Sequence, residues 1–329
     1  MIGSILKNIG QFVLGILLLS LIVFYISRLA PGDPLVSYYG NAVDKMSVEE
    51  RDNAIERLGL DEPIYIQYKK WLRATCKGEF GISFKYKQEV KVVIGEVYIN
   101  TIILGGLAYF ITFTGALFLG IFCALNEDKL VDKIICGLGN ISSCIPAFWA
   151  SLIFILIFSV NLRILPTSGA YSVGQEDNLI NRACHLILPL VVLVLSHLWY
   201  YTYMIRNKLL EEIREDYVLL AKVKGLSNRK IVYKHCLRNI MPAFISIMAI
   251  SIPHILAETY VVEKVFSYPG LGTLSFESAK YHDYNMLLVL CLLTGTIVLF
   301  TNMIAELIST SIDPRMKYER WEDLESQDK

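Results

Sequence analysis

Apolar residues fall in long blocks along this chain rather than in short alternating strips. Six blocks reach or approach the ~20 residues that a helix needs to cross a bilayer. They cover residues 10–28, 98–125, 134–159, 184–205, 242–262 and 285–311. The pattern predicts an all-α integral membrane protein with six transmembrane helices, and a composition that is 54% hydrophobic agrees with it. The first block also has some features of a cleaved secretory signal. Its apolar run from Phe12 to Ile26 is at the upper limit for such a segment, and Ser27-Arg28-Leu29-Ala30 is a poor small-x-small cleavage site, so a retained helix is expected.

Two polar stretches between the blocks have structure of their own. In the first, residues 29–97, Ser47-Val48-Glu49-Glu50 reads as a capping box, in which the serine and the glutamate three on satisfy each other's free backbone amides. That helix is expected to end at Gly59, and Asp61-Glu62-Pro63 opens a second one. Tyr65, Tyr68, Trp71 and Leu72 give the second helix an apolar stripe, and Gly78-Glu79-Phe80-Gly81 breaks it. The aromatics either pack against the rim of the membrane domain or form a ledge that receives another protein. Spacing leaves both open.

The second stretch runs from Glu215 to Pro242, a charged amphipathic island between two apolar blocks. Leu209, Leu210, Ile213, Tyr217, Leu220 and Val223 recur at helical spacing. Gly225 then supplies the left-handed position that ends a helix, and Ser227 is placed to cap the next one. The following segment carries Ile231, Val232, Cys236 and Leu237 before Pro242, with Lys222, Lys224, Arg229, Lys230, Lys234 and Arg238 on its polar side. A docking surface for a partner and a basic helix lying on anionic lipid both fit this pattern.

Charge sets the expected orientation. The net charge is zero, but the charges are segregated by loop. With the N-terminus inside, the inner segments hold Lys7, Lys129 and Lys133, nine Lys and Arg from Arg206 to Arg238, and Arg315, Lys317, Arg320 and Lys329. The short outer loops hold only Arg163 and Arg182, then Lys264 and Lys280. The 29–97 loop is too long for the positive-inside rule to count. Both termini and the 206–241 island are therefore expected in the cytoplasm. The seven cysteines show neither a disulfide framework nor metal-finger spacing, and are expected as free thiols packed as small apolar residues.

A family resemblance runs along nearly the whole chain. Tyr217, Ala221, Lys224-Gly225-Leu226-Ser227 and Arg238-Asn239-Ile240-Met241-Pro242 resemble the EAA loop of ABC importer permeases, with the Glu-Ala-Ala itself degraded. Ala30-Pro31-Gly32-Asp33-Pro34, Leu58-Gly59-Leu60-Asp61 with Gln67-Tyr68, and Gly78-Glu79-Phe80-Gly81 are similar to the dipeptide, oligopeptide and nickel branch. So are Leu165-Pro166 with Gly169, His185-Leu186-Ile187-Leu188-Pro189, the segment Glu263 to Gly272, and Asp313-Pro314-Arg315. The early Ala-Pro-Gly-Asp-Pro segment and the long first outer loop resemble the B-type subunit of a B/C pair.

The resemblance implies a type I importer permease with a small helical extracytoplasmic region. Its parts would be an N-terminal segment and first helix over 1–28, the outer region over 29–97, a permease core over 98–311 holding the 206–241 loop, and a tail over 312–329. It implies a partnership with a homologous C-type permease, two cytoplasmic ABC ATPases and an extracytoplasmic substrate-binding protein, in contact with membrane lipid. Coupling to the ATPases would then fall to Glu215, Asp216, Tyr217, Ala221, Lys224, Gly225, Leu226, Ser227 and Pro242.

The residues themselves add limits. Without a Gly-x-x-x-x-Gly-Lys-Ser/Thr phosphate cradle the chain cannot supply ATP hydrolysis, so ATP and magnesium are expected on the partner ATPase and no cofactor on this chain. No catalytic constellation, two-histidine metal site or basic aromatic groove for nucleic acid is present in the sequence.

Ionisable groups inside a span are costly and tend to face a pathway or a partner. His197, His254 and Glu258 are the candidates here, with His254 and Glu258 four apart on one helical face and able to pair with each other. Relatives are expected to carry a small residue where this chain has Glu258. Glu306 lies near the inner end of the last span, where it can be solvated. Pro269-Gly270-Leu271-Gly272 predicts a tight re-entry beside the fifth span, with Phe266 and Tyr268 at the membrane interface. Peptide is the expected cargo, with nickel or a metal–metallophore complex as the alternative. A receptor or scaffold with a lipid-binding basic loop is the reading from outside transport.

Overall fold

The computed structural model describes residues 2–29, 35 and 39–312. The Ala30–Pro34 and Asp313–Arg315 motifs and the basic residues of the tail lie outside the described residues. Helices follow in the order α1 (Ile2–Leu29), a 3-10 turn at Gly40–Lys45, α2 (Val48–Leu58), α3 (Ile64–Cys76), α4 (Val90–Leu125), α5 (Leu130–Cys144) and α6 (Ala147–Phe154). Then come α7 (Leu179–Ile213), α8 (Asp216–Val223), α9 (Asn228–Ile231), α10 (Leu237–Val265), α11 (Leu271–Lys280) and α12 (Tyr284–Ile312). Wide π-helical turns extend α6 over Ile155–Asn161 and join α9 to α10 over Val232–Cys236.

Five of these stretches are long and apolar enough to cross a membrane: Lys7–Leu29, Val90–Leu125, Leu179–Ile213, Asn228–Val265 and Tyr284–Ile308. The third block differs from its expected form. Instead of one helix over 134–159, the chain bends by 104° between the Leu130–Ser142 and Ala147–Asn161 segments, the form of a broken span or a re-entrant loop. Pro146 explains the bend, because a proline drives the residue before it out of helical conformation. Ile145 is accordingly extended (φ −96°, ψ 114°). The fifth span corrects the pattern the other way. Pro242, expected at the start of the span, lies inside the continuous Asn228–Val265 rod, as does Pro253. Membrane helices tolerate prolines where neighbouring groups or small local adjustments satisfy the freed backbone.

The chain divides into two compact units, Met1–Thr101 with Pro269–Phe300, and Ile102–Tyr268 with Thr301–Lys329. In the first, the capping box forms as the sequence predicts. Glu50 N–H bonds Ser47 Oγ at 3.2 Å, and Ser47 N–H bonds Glu50 Oε2 at 2.8 Å. The Ser47 backbone and hydroxyl hydrogen bonds hold the Glu50 carboxyl below its usual range. Gly59 stops α2 in the left-handed region at φ +64°.

On α3, the rings of Tyr68 and Trp71 pack 5.5 and 5.2 Å from Phe24 of α1, and Tyr68 Oη lies 2.8 Å from Ser20 Oγ. Tyr65, from the same predicted stripe, is exposed. The turn over residues 82–89 is clamped to the 277–285 region. Buried Asp283 accepts from Ser83 Oγ and from Lys85 N–H at 3.2 Å, while Glu277 pairs with Lys85 and accepts from Tyr86 Oη at 2.9 Å. Helix α11, which begins at the end of the Glu263–Gly272 motif, starts where Leu271 N–H bonds Thr101 Oγ1 at 2.8 Å.

The second unit has two hydrophobic centres. In one, Phe113 of α4 stacks near Tyr201 of α7 (4.6 Å) and Phe244 of α10 (6.0 Å), with Ile205, Leu209, Ile231 and Cys236 buried around them. In the other, Leu104, Leu193 and Val262 enclose Phe266 and Tyr268. Both aromatics are buried rather than at the interface, because Ser267 turns through φ +47° and Tyr268 N–H folds back to the Glu263 carbonyl at 2.8 Å. Three motif segments meet here. Gly169 N–H bonds the Phe266 carbonyl at 2.9 Å, and buried His185 reaches the Gly169 carbonyl at 3.1 Å and Ser172 Oγ at 3.3 Å. Cys123 and Cys236 are buried as small apolar residues, whereas Cys76 and Cys144 are exposed.

Candidate functional site

The 206–241 segment is built differently from its periodic pattern. Helix α7 carries on to Ile213 and closes at Arg214, after which Glu215 is extended and opens α8. This break restarts the helical register. Val218 and Ala221 are therefore buried against Leu209, Leu210, Ile231 and Cys236, while Leu219, Leu220 and Val223 stand exposed at 64%, 55% and 78%. Leu220 and Val223 thus leave the buried stripe predicted for them, and α8 presents an outward apolar edge.

Helix α8 ends in a Schellman arrangement. Leu226 N–H bonds the Ala221 carbonyl (3.2 Å), Gly225 N–H bonds the Lys222 carbonyl (2.9 Å), and Gly225 takes φ +78°. Leu226 folds back against the core, and Lys224 points outward. Ser227 has the extended backbone of an N-cap before α9, but its side chain makes no capping hydrogen bond. Asp216 lies in the first turn of α8, where a carboxylate complements the helix dipole.

A residue outside the predicted set ties this region together. Glu212, at the end of α7, accepts from Tyr217 Oη at 2.6 Å and from Asn239 Nδ2 at 2.8 Å. It thereby joins three helices, and burial together with this hydrogen bond pushes the Tyr217 hydroxyl well above its ordinary pKa. A second unforeseen brace sits one to two turns back along α7. Arg206 grips buried Asp132 of α5 with both arms, Nε–Oδ1 at 2.6 Å and Nη2–Oδ2 at 2.5 Å. Arg214 adds an exposed pair with Glu127 at 2.9 Å.

His197, His254 and Glu258 do come together, lining one cleft of ≈ 360 Å³ between α7 and α10 with Tyr200, Tyr201, Met204, Ile247, Ile250 and Ser251. The pairing differs from the expected one. Glu258 Oε2 lies 3.3 Å from His197 Nε2, across the cleft, and His254 is exposed at its rim. Close as they lie, neither atom has a hydrogen-bond partner among the described residues. Glu306 does not line this cleft. Among the described residues, no group of three His, Cys, Asp or Glu is placed to hold a metal ion.

An all-helical chain with five or six membrane-length spans and a two-helix polar excursion is a multi-pass membrane protein. Comparison with known proteins makes this specific. Residues 116–318 match the family model described as binding-protein-dependent transport system inner membrane component, and residues 1–105 match the N-terminal model of the same systems. The chain is 34% identical to the oligopeptide transport system permease protein AppB of Bacillus subtilis, over 93% of this chain and 95% of that one. It is 30% identical to the oligopeptide transport system permease protein OppB of Haemophilus influenzae (97% and 100%) and 28% identical to the metal-staphylopine import system permease protein CntB of Staphylococcus aureus (96% and 99%). Its fold is shared with a chain of the inward-facing MetNI methionine ABC transporter, at TM-score 0.51 and 17% identity over 68% of this chain and 97% of that one. The chain belongs to the binding-protein-dependent transport system inner membrane component family, as a B-type ABC importer permease. That membership sets aside the receptor or scaffold reading.

Proposed function

We propose that this chain imports peptides as one half of a permease pair. Both termini and the 206–241 segment lie in the cytoplasm, two ABC ATPases dock on that segment, and a binding protein delivers cargo from outside. The observation that carries the peptide assignment is the 34% identity to AppB across nearly the full length of both chains. Structure supports the docking role independently, because α8 leaves Leu219, Leu220 and Val223 exposed beside a glycine-ended turn. An apolar edge rimmed by charge is the usual makeup of a protein-binding patch. ATP bound by the partner ATPases would shift the permease between inward- and outward-facing states only through contacts that differ between them. The cleft holding His197, His254 and Glu258 is the pathway portion of the site.

Co-expression with the partner permease, ATPases and binding protein tests this. The ATPase should co-purify in mild detergent, and vesicles holding the complex should take up labelled oligopeptide only with ATP at the cytoplasmic face. A complex that assembles yet imports no peptide would sink the cargo assignment. Import of a metal–metallophore complex is the second reading, favoured by the 28% identity to CntB. A chelated metal needs no side-chain ligands on its path. Binding of peptides and of metal chelates to the cognate binding protein separates the two.

A further inference from the structure

We propose that Glu258 is the counter-charge for the free amino terminus of a peptide crossing the membrane, so that the permease itself selects for peptides with an unblocked end. This rests on the peptide reading above. Among the described residues, Glu258 is the one carboxylate lining the cleft, and its side chain is 39% exposed. Its Oε2 lies against His197 Nε2 at 3.3 Å and is shielded there, so the exposure belongs to the rest of the side chain. A carboxylate open to a cleft is matched by an ammonium, which brings three N–H groups in a compact head.

The rest of the cleft suits the first residues of a peptide behind that head. Exposed Tyr200 offers a hydroxyl to peptide amides, and Ile250 and Met204 offer apolar contact without a side-chain preference. A volume of ≈ 360 Å³ lies at the small end of ligand sites, which fits a peptide's terminus and not its whole length. The alternative is that Glu258 serves only as a structural partner for His197.

The test uses the complete importer in vesicles, with binding protein saturated so that outside recognition is not what is read. Uptake of trialanine is compared with N-acetyl-trialanine. Wild type should favour the free amine about tenfold or more, the scale of a charge-assisted hydrogen bond. Glu258→Gln should bring trialanine down to the acetylated level while loaded binding protein still stimulates ATP hydrolysis. His197→Asn, which keeps the carboxylate, should keep the preference. Ile250→Lys alters an exposed position and places a competing ammonium in the cleft, so it should abolish the preference even where Glu258→Gln fails to assemble. An unchanged preference in Glu258→Gln or Ile250→Lys overturns the proposal. So does an equal fall for both peptides in Glu258→Gln and His197→Asn, the signature of a structural pair. Wild-type vesicles that take up neither peptide overturn the peptide reading beneath it.

Discussion

The chain makes two polar excursions from its membrane helices, and they spend their apolar side chains in opposite ways. The 47–89 region is fastened to the chain's own helices. Its Tyr68 and Trp71 rings close on Phe24, and its last turn is fastened through Asp283 and Glu277. The 214–227 region anchors one face through Val218 and Ala221 and leaves Leu219, Leu220 and Val223 uncovered. A segment whose rings are covered by the chain's own helices needs no second protein to cover them. One that holds a short helix rigid while exposing an apolar edge is shaped for a partner.

The sharpest way to break this contrast is a charge on the open edge. Leu220→Asp should cut uptake at least about tenfold and lose ATPase co-purification, as expected where an exposed apolar anchor is removed from an interface. Insertion should be unchanged because the side chain is exposed. Retained co-purification would mean that the edge faces lipid. Gly225→Val comes next. A β-branched residue at φ +78° is strained by about 1–3 kcal/mol, so ATP hydrolysis should continue while uptake falls several-fold in reconstituted vesicles.

Asp283→Ala probes the closed region. It removes an acceptor serving Ser83, Lys85 and Met286 N–H, at about 1–3 kcal/mol of local stability. Limited proteolysis near residues 77–89 should speed up roughly tenfold, with little change in uptake; a collapse of uptake would show that this region is not self-contained. Ser47→Ala should have the smallest effect, about 1 kcal/mol from the lost cap, seen as a lower melting temperature.

The clamp also has a pH signature. Burial, the largest single influence, lowers the Lys85 pKa, but its hydrogen bonds to Glu277 and Tyr86 together with their charges outweigh it and raise the pKa above 10.5. Stability from this lysine is therefore present below 10.5 and lost as pH rises through the higher folded value. Protection from proteolysis at 77–89 should accordingly fall only in strong alkali on the basic side.

Local features were legible in the sequence because their partners are near in the chain. The Ser47–Glu50 box, the Gly59 stop and the left-handed Gly225 each depend on a few consecutive residues. The bend at Pro146 carried its proline signal too, but unbroken hydropathy on both sides masked it. What could not be read were contacts across the chain. Asp132 and Arg206 are separated by 74 positions, and Glu258 met His197 rather than His254 because helix packing, not spacing along one helix, set its neighbour. The Arg214–Glu215 break also left no mark, since ordinary helix-forming residues flank it. It was the break that moved Leu220 and Val223 to the outside.

Helix α7 contains Pro189, eight residues before His197 and twenty-three before Glu212. A proline inside a helix is a natural place to flex, and the rod beyond it is stiffened by the Asp132–Arg206 grip. If it swings about that point, the rise of 1.5 Å per residue makes it a reduction gear, in which a shift of ~3 Å at Glu212 becomes ~1 Å at His197. That output is about the difference between a loose 3.3 Å contact with Glu258 and one that opens wide enough to admit a guest.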